Sequence, residues 1–424
     1  MELHFVIGYR FIRIKSEMKQ KLSLQSAFGD RSKLEFVTDD IFAIWWEKKF
    51  DHHSDTEIIF KHLKAVRQDC LHNLGMEDPP NPKAGFFYNV YIHHGEEDDF
   101  PSEWGNGQGT DKYRLPFLTL PVGVHTSESN LYHEGFHIFQ YQANSPGFAY
   151  QGDSQWYIEA SAQWYMCQNK PEGINTFVEA GAILANPHLS LWHSFSNQAE
   201  NDPTDWLYQV RQYGMHTYLH YLTQVKNVSP DLITKGFYQG IDISPQEYHY
   251  REIGADYLRK YFADWAAQNT VGLDYYLSKE QIDRAELEIQ NVADSTNLHP
   301  YVCSFDNPDQ IKNWISPPES MKPRGWSYNV IQFKNCPVGN YKIEIKGDLL
   351  GSEGANSHFE GRIVINSKTQ KEYKGIEMID SISGYTTVRT IDQDSDLFLV
   401  VASVPEHFGG TQSYGYKAKI EVDS

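Results

Sequence analysis

Two histidines four residues apart, His133 and His137, enclose Glu134 in the run Asn130-Leu131-Tyr132-His133-Glu134-Gly135-Phe136-His137-Ile138-Phe139-Gln140-Tyr141. Residues four apart on an α-helix differ by about 40° in direction, so both imidazoles leave one face a turn apart and can reach one point. Gly135 and Phe136 are uncharged and Ile138-Phe139 continue apolar. A helix that buries such a face must bring a second element against it. Thr126, Ser127 and Ser129 stand just upstream as N-cap residues.

The element expected to meet it is Asp153-Ser154-Gln155-Trp156-Tyr157-Ile158-Glu159-Ala160-Ser161-Ala162-Gln163-Trp164-Tyr165-Met166, a helix capped by Asp153 or Ser154 and ended before Pro171. Beyond its cap Glu159 is the only acidic residue, flanked by Ala160, Ser161 and Ala162, which permit close helix approach. A lone carboxylate on an apolar helix is costly to bury unless it is paired or binds a metal. Two histidines and a glutamate leave a fourth position open for water, the composition of a catalytic Zn2+ site, with Glu134 placed beside the ion as general base.

These residues, His133 to Gln163, resemble the gluzincin metallopeptidases, the thermolysin-like and collagenase-like enzymes with H-E-x-x-H on one helix and a glutamate ligand on the next. The resemblance implies His133, His137 and Glu159 as zinc ligands, Glu134 as base, and a protein or peptide substrate. Two departures stand out. Gln163 occupies the position, one turn after the ligand glutamate, where thermolysin-like enzymes carry Asp, and no G-x-M-E-N motif of the related aminopeptidases is found. The reading is therefore an endopeptidase. Gluzincins take an oxyanion donor, Tyr or His, from a downstream element. The helix expected from Asp202-Pro203-Thr204-Asp205-Trp206 through Leu222 offers Tyr213 first and His216 second, three apart with Gly214 between them. Two other classes fit the same residues: a non-enzymatic adhesion or glycan-binding protein that keeps the scaffold, and a zinc hydrolase of a non-peptide amide or ester.

The rest of the chain is read as α+β. Strands are expected at Leu34 to Thr38, Ile41 to Trp46 and Phe86 to Ile92, with a helix from Asp55 or Thr56 to about Leu74. Leu115 to Pro121 carries a proline at each end and is expected at a sheet edge, where a peptide can add as a strand. From Tyr301 onward short alternating segments (Val330 to Phe333, Tyr341 to Ile345, Arg362 to Ile365, Leu397 to Val401, Tyr416 to Val422) predict an antiparallel β-sandwich. The expected domains are a lead-in at 1–30, a zincin-like catalytic domain at 31–300 with a mixed sheet plus helices, a proline-rich linker at 301–325, and an all-β sandwich at 326–424. The sandwich is a cap or a module for a glycan or another protein.

A net charge of −19 without long acidic runs argues against nucleic acid or an anionic membrane as partner. No apolar run reaches the length of a membrane span, and the N-terminus, cut short by Arg10 and Arg13, makes a poor signal peptide. The reading is a soluble protein, although the resemblance favours export. The carboxylates of the acidic loop at 96–111 could hold calcium, but the loop departs from EF-hand spacing and the preferred reading is a solvated loop. The four cysteines form no C-x-x-C pair, and Cys303 with Cys336 is open as a bridge. The doublets His52-His53 and His93-His94 read as surface residues.

Overall fold

The computed structural model describes residues 28, 30–98, 100, 107–110, 115–141, 145–170, 175–195, 197, 206–276, 278, 280, 283, 300–306, 313–349 and 356–423. The fold is α+β, with helices and three sheets. Two compact units are distinguished: residues 1–53 with 79–121, and residues 54–78 with 122–424.

The first unit is a five-stranded mixed sheet. Its strands are β1 (Leu34–Thr38), β2 (Phe42–Glu47), β3 (Tyr88–His93), β4 (Gly107–Thr110) and β5 (Pro116–Pro121), in the order β1-β2-β3-β5-β4. β2, β3 and β5 run parallel, while β1 and β4 flank them antiparallel. Residues of both parities are buried in β2 and β3, as near-continuous apolar strands require. Trp45, Tyr91, Phe100 and Phe117 form one core, against which Phe28 of the lead-in packs.

Two expectations change here. Leu115 to Pro121 is not an edge: its strand pairs with β3 on one side and β4 on the other, and the glycine-bearing Gly107–Thr110 is the strand that closes the sheet. Nor are both histidine doublets at the surface. His52 and His93 are buried, and His52 Nε2 lies 2.7 Å from His94 Nε2, whose ring stacks on Phe50. His93 is the last residue of a strand buried on both faces, and His94 lies beyond its end. Of the acidic loop, Asp98 accepts backbone bonds from His94 and Phe100. Residues 99, 101–106 and 111 lie outside the described residues, so the calcium reading falls largely there.

The second unit opens with α1 (His53–His72, from Ser54 onward) and carries α3 (Glu128–Gln140) through α10 (Ala255–Asn269) before the sandwich; the short α2 (Pro80–Lys83) belongs to the first unit. Helix α3 starts where its cap predicts, with Ser127 Oγ accepting from Asn130 N. It meets α1 through Gly135, where a Cβ would stand 3.2 Å from both Leu63 and Val66 side chains. Helix α4 (Gln155–Asn169) is buried on nearly every side and packs against α3, against α6 (Trp206–Gly214) and against α7 (His216–His220).

The helix expected to run through Leu222 is broken at Met215 into α6 and α7, followed by a π-turn over Tyr221–Val225. His216 Nδ1 approaches Tyr213 O at 2.8 Å and Thr217 Oγ1 donates to Gly214 O, so side chains take carbonyls that the helical ladder would use. Its expected start, Asp202 to Asp205, lies outside the described residues.

The C-terminal sandwich comprises a five-stranded sheet, β10-β9-β13-β7-β6, and a four-stranded sheet, β11-β12-β8-β14. The first holds β6 (Cys303–Phe305), β7 (Ser327–Cys336), β9 (Phe359–Asn366), β10 (Lys371–Gly375) and β13 (Ser395–Ser403). The second holds β8 (Gly339–Gly347), β11 (Glu377–Met378), β12 (Ser383–Thr390) and β14 (Tyr416–Asp423). One apolar core, including Ile331, Phe333, Ile343, Ile363, Leu399 and Ile420, joins the inner faces. β12 alternates buried and open positions, whereas β9 and β13 are buried on both faces because α10 covers their outer side.

Residues 301–325 are more than a connection. β6 adds a parallel strand beside β7, Ile315 bridges to Ala418, and Arg324 N donates to His188 O. Arg362 Nε donates to Asp264 at 2.6 Å and its guanidinium reaches Glu360 and two backbone carbonyls. Cys303 and Cys336 are free. Cys303 stands opposite Ile331 in the β6–β7 register, and five residues of strand place Cys336 about 16 Å further along, beyond disulfide reach.

Candidate metal centre

Helices α3 and α4 bring His133, His137 and Glu159 to one point. His133 Nε2 lies 3.2 Å from Glu159 Oε2, His137 Nε2 lies 3.5 Å from the same oxygen, and the two Nε2 atoms are 3.1 Å apart. Ligands of a tetrahedral ion at about 2.0 to 2.2 Å stand about 3.3 to 3.6 Å from one another, so the triangle has the size of a coordination face. Relative exposures of 7%, 1% and 5% exclude solvated side chains met by accident. This buried group can bind a metal ion, and it is the one such cluster among the described residues.

The proton arrangement supports the same conclusion. A carboxylate only accepts, so each imidazole must carry a proton on Nε2 to bond Glu159, and two N–H groups then crowd each other at 3.1 Å. A single cation at the centre takes a lone pair from each nitrogen and removes the conflict. His133 Nδ1 is buried without a hydrogen-bond partner among the described residues. His137 Nδ1 faces Gln140 Oε1 at 2.5 Å.

Electrostatics follow from burial and mutual approach. Burial alone would lower His137, yet the charge and hydrogen bond of Glu159, aided by Glu134 and Gln140, lift it to about 9. Burial would raise Glu159, but His137 and His133 hold it below the usual carboxylate range. Glu134, 7% exposed, is raised by burial, with Glu159 adding to the rise and the two histidines opposing it.

Tyr213 comes beside this group, its ring centroid 6.0 Å from that of His133. Burial and then Glu159 keep its phenol protonated. His216 is nearby, but its nitrogens face Tyr213 O and Tyr276 Oη at 2.8 Å each, and burial pushes it down to about 3. Gln163 donates to Glu179 rather than to a histidine, and burial pushes the Glu179 carboxyl well above the usual carboxylate range.

Three neighbours of the site were not singled out from sequence. Tyr150, in the irregular segment before α4, has its phenol raised by burial and then by the charge of Glu159. Gln140 lies three residues after His137 on its helix face, but the groups it meets on α4 are not written in that spacing. Glu179 on α5 (Asn175–Ala185) gave no signal, because the helix that brings it in is positioned by Gly214, where a Cβ would stand 2.1 Å from Glu179 O.

No family model matches the chain, and no curated protein does. Among solved structures, the chain is similar to the pre-peptidase C-terminal domain of collagenase from Bacillus anthracis, at 10% identity and a TM-score of 0.19, over 30% of this chain and 100% of that one. It is also similar to the secreted serine protease VesC from Vibrio cholerae, at 14% identity and a TM-score of 0.18, over 27% of this chain and 22% of that one. A family GH115 4-O-methyl-alpha-glucuronidase matches at 9% identity and a TM-score of 0.16, over 83% of this chain and 54% of that one. Likeness at these scores carries no conclusion about fold or function. No helix among the described residues is long and apolar enough to cross a membrane.

Proposed function

We propose that the chain is a zinc-dependent hydrolase of gluzincin type, an endopeptidase whose zincin-like domain precedes the β-sandwich. The observation that carries the proposal is the buried convergence of His133 Nε2, His137 Nε2 and Glu159 Oε2 with Glu134 on the same helix as the histidines. Two imidazole nitrogens and one carboxylate oxygen at tetrahedral spacing suit Zn2+ and leave a fourth position open. When bound, zinc supplies Lewis acidity to a water and to the scissile carbonyl.

The chain's own residues do the rest. Glu134, raised by burial, accepts the proton of the attacking water and returns it to the leaving amine. Tyr213, kept protonated beside His133, donates its hydroxyl to the developing oxyanion. His216 has both nitrogens engaged elsewhere, which favours Tyr213 over it. The substrate is a protein or peptide, and the sandwich is a candidate glycan-binding module.

The test compares Glu134→Gln with His137→Ala for metal content and for chelator-sensitive cleavage of denatured protein. Zinc survives in the first and falls in the second, while both lose hydrolysis. Full activity of Glu134→Gln rejects the mechanism, and absence of cleavage in the zinc-loaded wild type favours the non-enzymatic binding protein.

A further inference from the structure

Gln140 is a buried amide whose three hydrogen bonds all end within two residues of the metal-binding group or on it. Its Nε2 donates to Ile158 O at 3.0 Å and to Ser161 Oγ at 2.7 Å. A backbone carbonyl can only accept, and Ser161 has already given its proton to Tyr157 O at 2.6 Å, so its Oγ is left as an acceptor. Both partners therefore demand the NH2 side of the amide. Oε1 is forced to face His137 Nδ1, at 2.5 Å. An amide oxygen accepts only, so Nδ1 must carry a hydrogen, and when the ring is neutral Nε2 is the nitrogen with the lone pair. Flipping the amide would set Oε1 against the Ile158 carbonyl and break both bonds to α4.

We infer that Gln140 is a positioning residue that dictates the tautomer of His137, through an orientation imposed by the Ile158 carbonyl and the Ser161 hydroxyl on either side of Glu159. The inference rests on the metal centre proposed above. It has two parts that act together. The ring of His137 is presented with Nε2 bare toward the ion, and the helix that carries the histidines is tied to the helix that carries the glutamate at Ile158 and Ser161. His133, whose Nδ1 has no hydrogen-bond partner among the described residues, lacks such a device. The two histidines are thus unequal ligands, one oriented before the metal arrives and one oriented by it. The group in this place is a neutral amide, so it orients the ring without adding a third acid to a site that already holds Glu134 and Glu159.

The experiment measures zinc affinity of the full chain by chelator competition, with zinc alone as the probe, for wild type, Gln140→Met, Gln140→Glu and Ser161→Ala. Loss of a partner that orients a ligand histidine weakens metal binding by about 10- to 100-fold. Gln140→Met, of similar length but without an acceptor, falls by that factor. Gln140→Glu keeps an acceptor at Nδ1 while abandoning the two donations to α4, and loses less than Gln140→Met, staying within about tenfold of wild type. Ser161→Ala leaves Ile158 to orient the amide and also stays within that range. In the zinc-loaded wild type, nitrogen-15 NMR shows a proton on His137 Nδ1 protected from exchange, and Gln140→Met loses that protection.

Unchanged affinity in Gln140→Met overturns the inference and leaves the metal centre intact. Equal weakness in Gln140→Met and Gln140→Glu overturns it in favour of a plain helix clamp. If Gln140→Met fails to fold, the wild-type Nδ1 proton and the tolerance of Gln140→Glu decide. A wild type that binds no zinc removes the inference together with the centre, whereas one that binds zinc without cleaving peptides removes only the hydrolase reading.

Discussion

In the metal-free protein His137 holds a proton that a metal must displace, so metal uptake and pH are linked. Its folded value, about 9, stands above the ordinary 6.5 because Glu159 outweighs the penalty of burial. A group raised in this way stabilises the metal-free fold fully below the unfolded value, and that contribution disappears as pH rises through about 9. Metal binding has the opposite slope. One proton leaves Nε2 for each ion bound, so apparent affinity rises about tenfold per pH unit up to pH 9 and then levels. Between pH 6 and pH 8 the dissociation constant falls by about 100-fold on this account. Chelator competition with zinc at one-unit intervals from pH 6 to pH 10 measures the slope. Calorimetry in two buffers of different ionisation enthalpy counts the proton released. Affinity that is flat from pH 6 to pH 9, or uptake without proton release, would refute the assignment of that proton to the His137–Glu159 pair.

Three further outcomes follow from the geometry. Tyr213→Phe lowers kcat by about 10²- to 10³-fold with little change in KM if its hydroxyl is the oxyanion donor, and Tyr150→Phe is the comparison that decides which phenol serves, both read by peptide turnover. Gly214→Ala places a Cβ 2.1 Å from the Glu179 carbonyl, separating α5 from α6 at a cost of about 3 kcal/mol, visible as a lower Tm with m-value unchanged in urea. Arg362→Ala strands the buried Glu360 where the sandwich meets α10, while Asp264 keeps Lys226 at 2.7 Å, costing about 3 kcal/mol in chemical denaturation.

The motif helix was legible because its information is local: Ser127 caps it, and the two histidines recur at one helical turn. Glu159 was legible for an energetic reason, since the acid of an apolar helix must find a partner. Gln140 and Tyr150 were not, because their meaning depends on what α4 and Glu159 present to them, which spacing along one segment does not encode. The same limit explains the sheet. Prolines at both ends of Leu115 to Pro121 suggested an edge, yet the strand between them still offers pairing groups on both sides, and the glycine-rich Gly107–Thr110 takes one of them. In the sandwich, Leu397 to Val401 is apolar at every position, a pattern that alternation alone does not explain and that the covering helix does.

The contact between α10 and the sandwich also bears on when the chain can finish folding. Asp264 bonds a residue 98 positions later, Arg259 bonds a carbonyl 145 positions later, and Trp192 reaches one 218 positions later. Closing such long loops is slow, and contacts of this separation cannot form until the later strands have left the ribosome. The helical layer therefore waits on β9, β13 and the segment through Gly410 with part of its apolar surface uncovered. During synthesis that surface stays open until the late strands arrive to cover it.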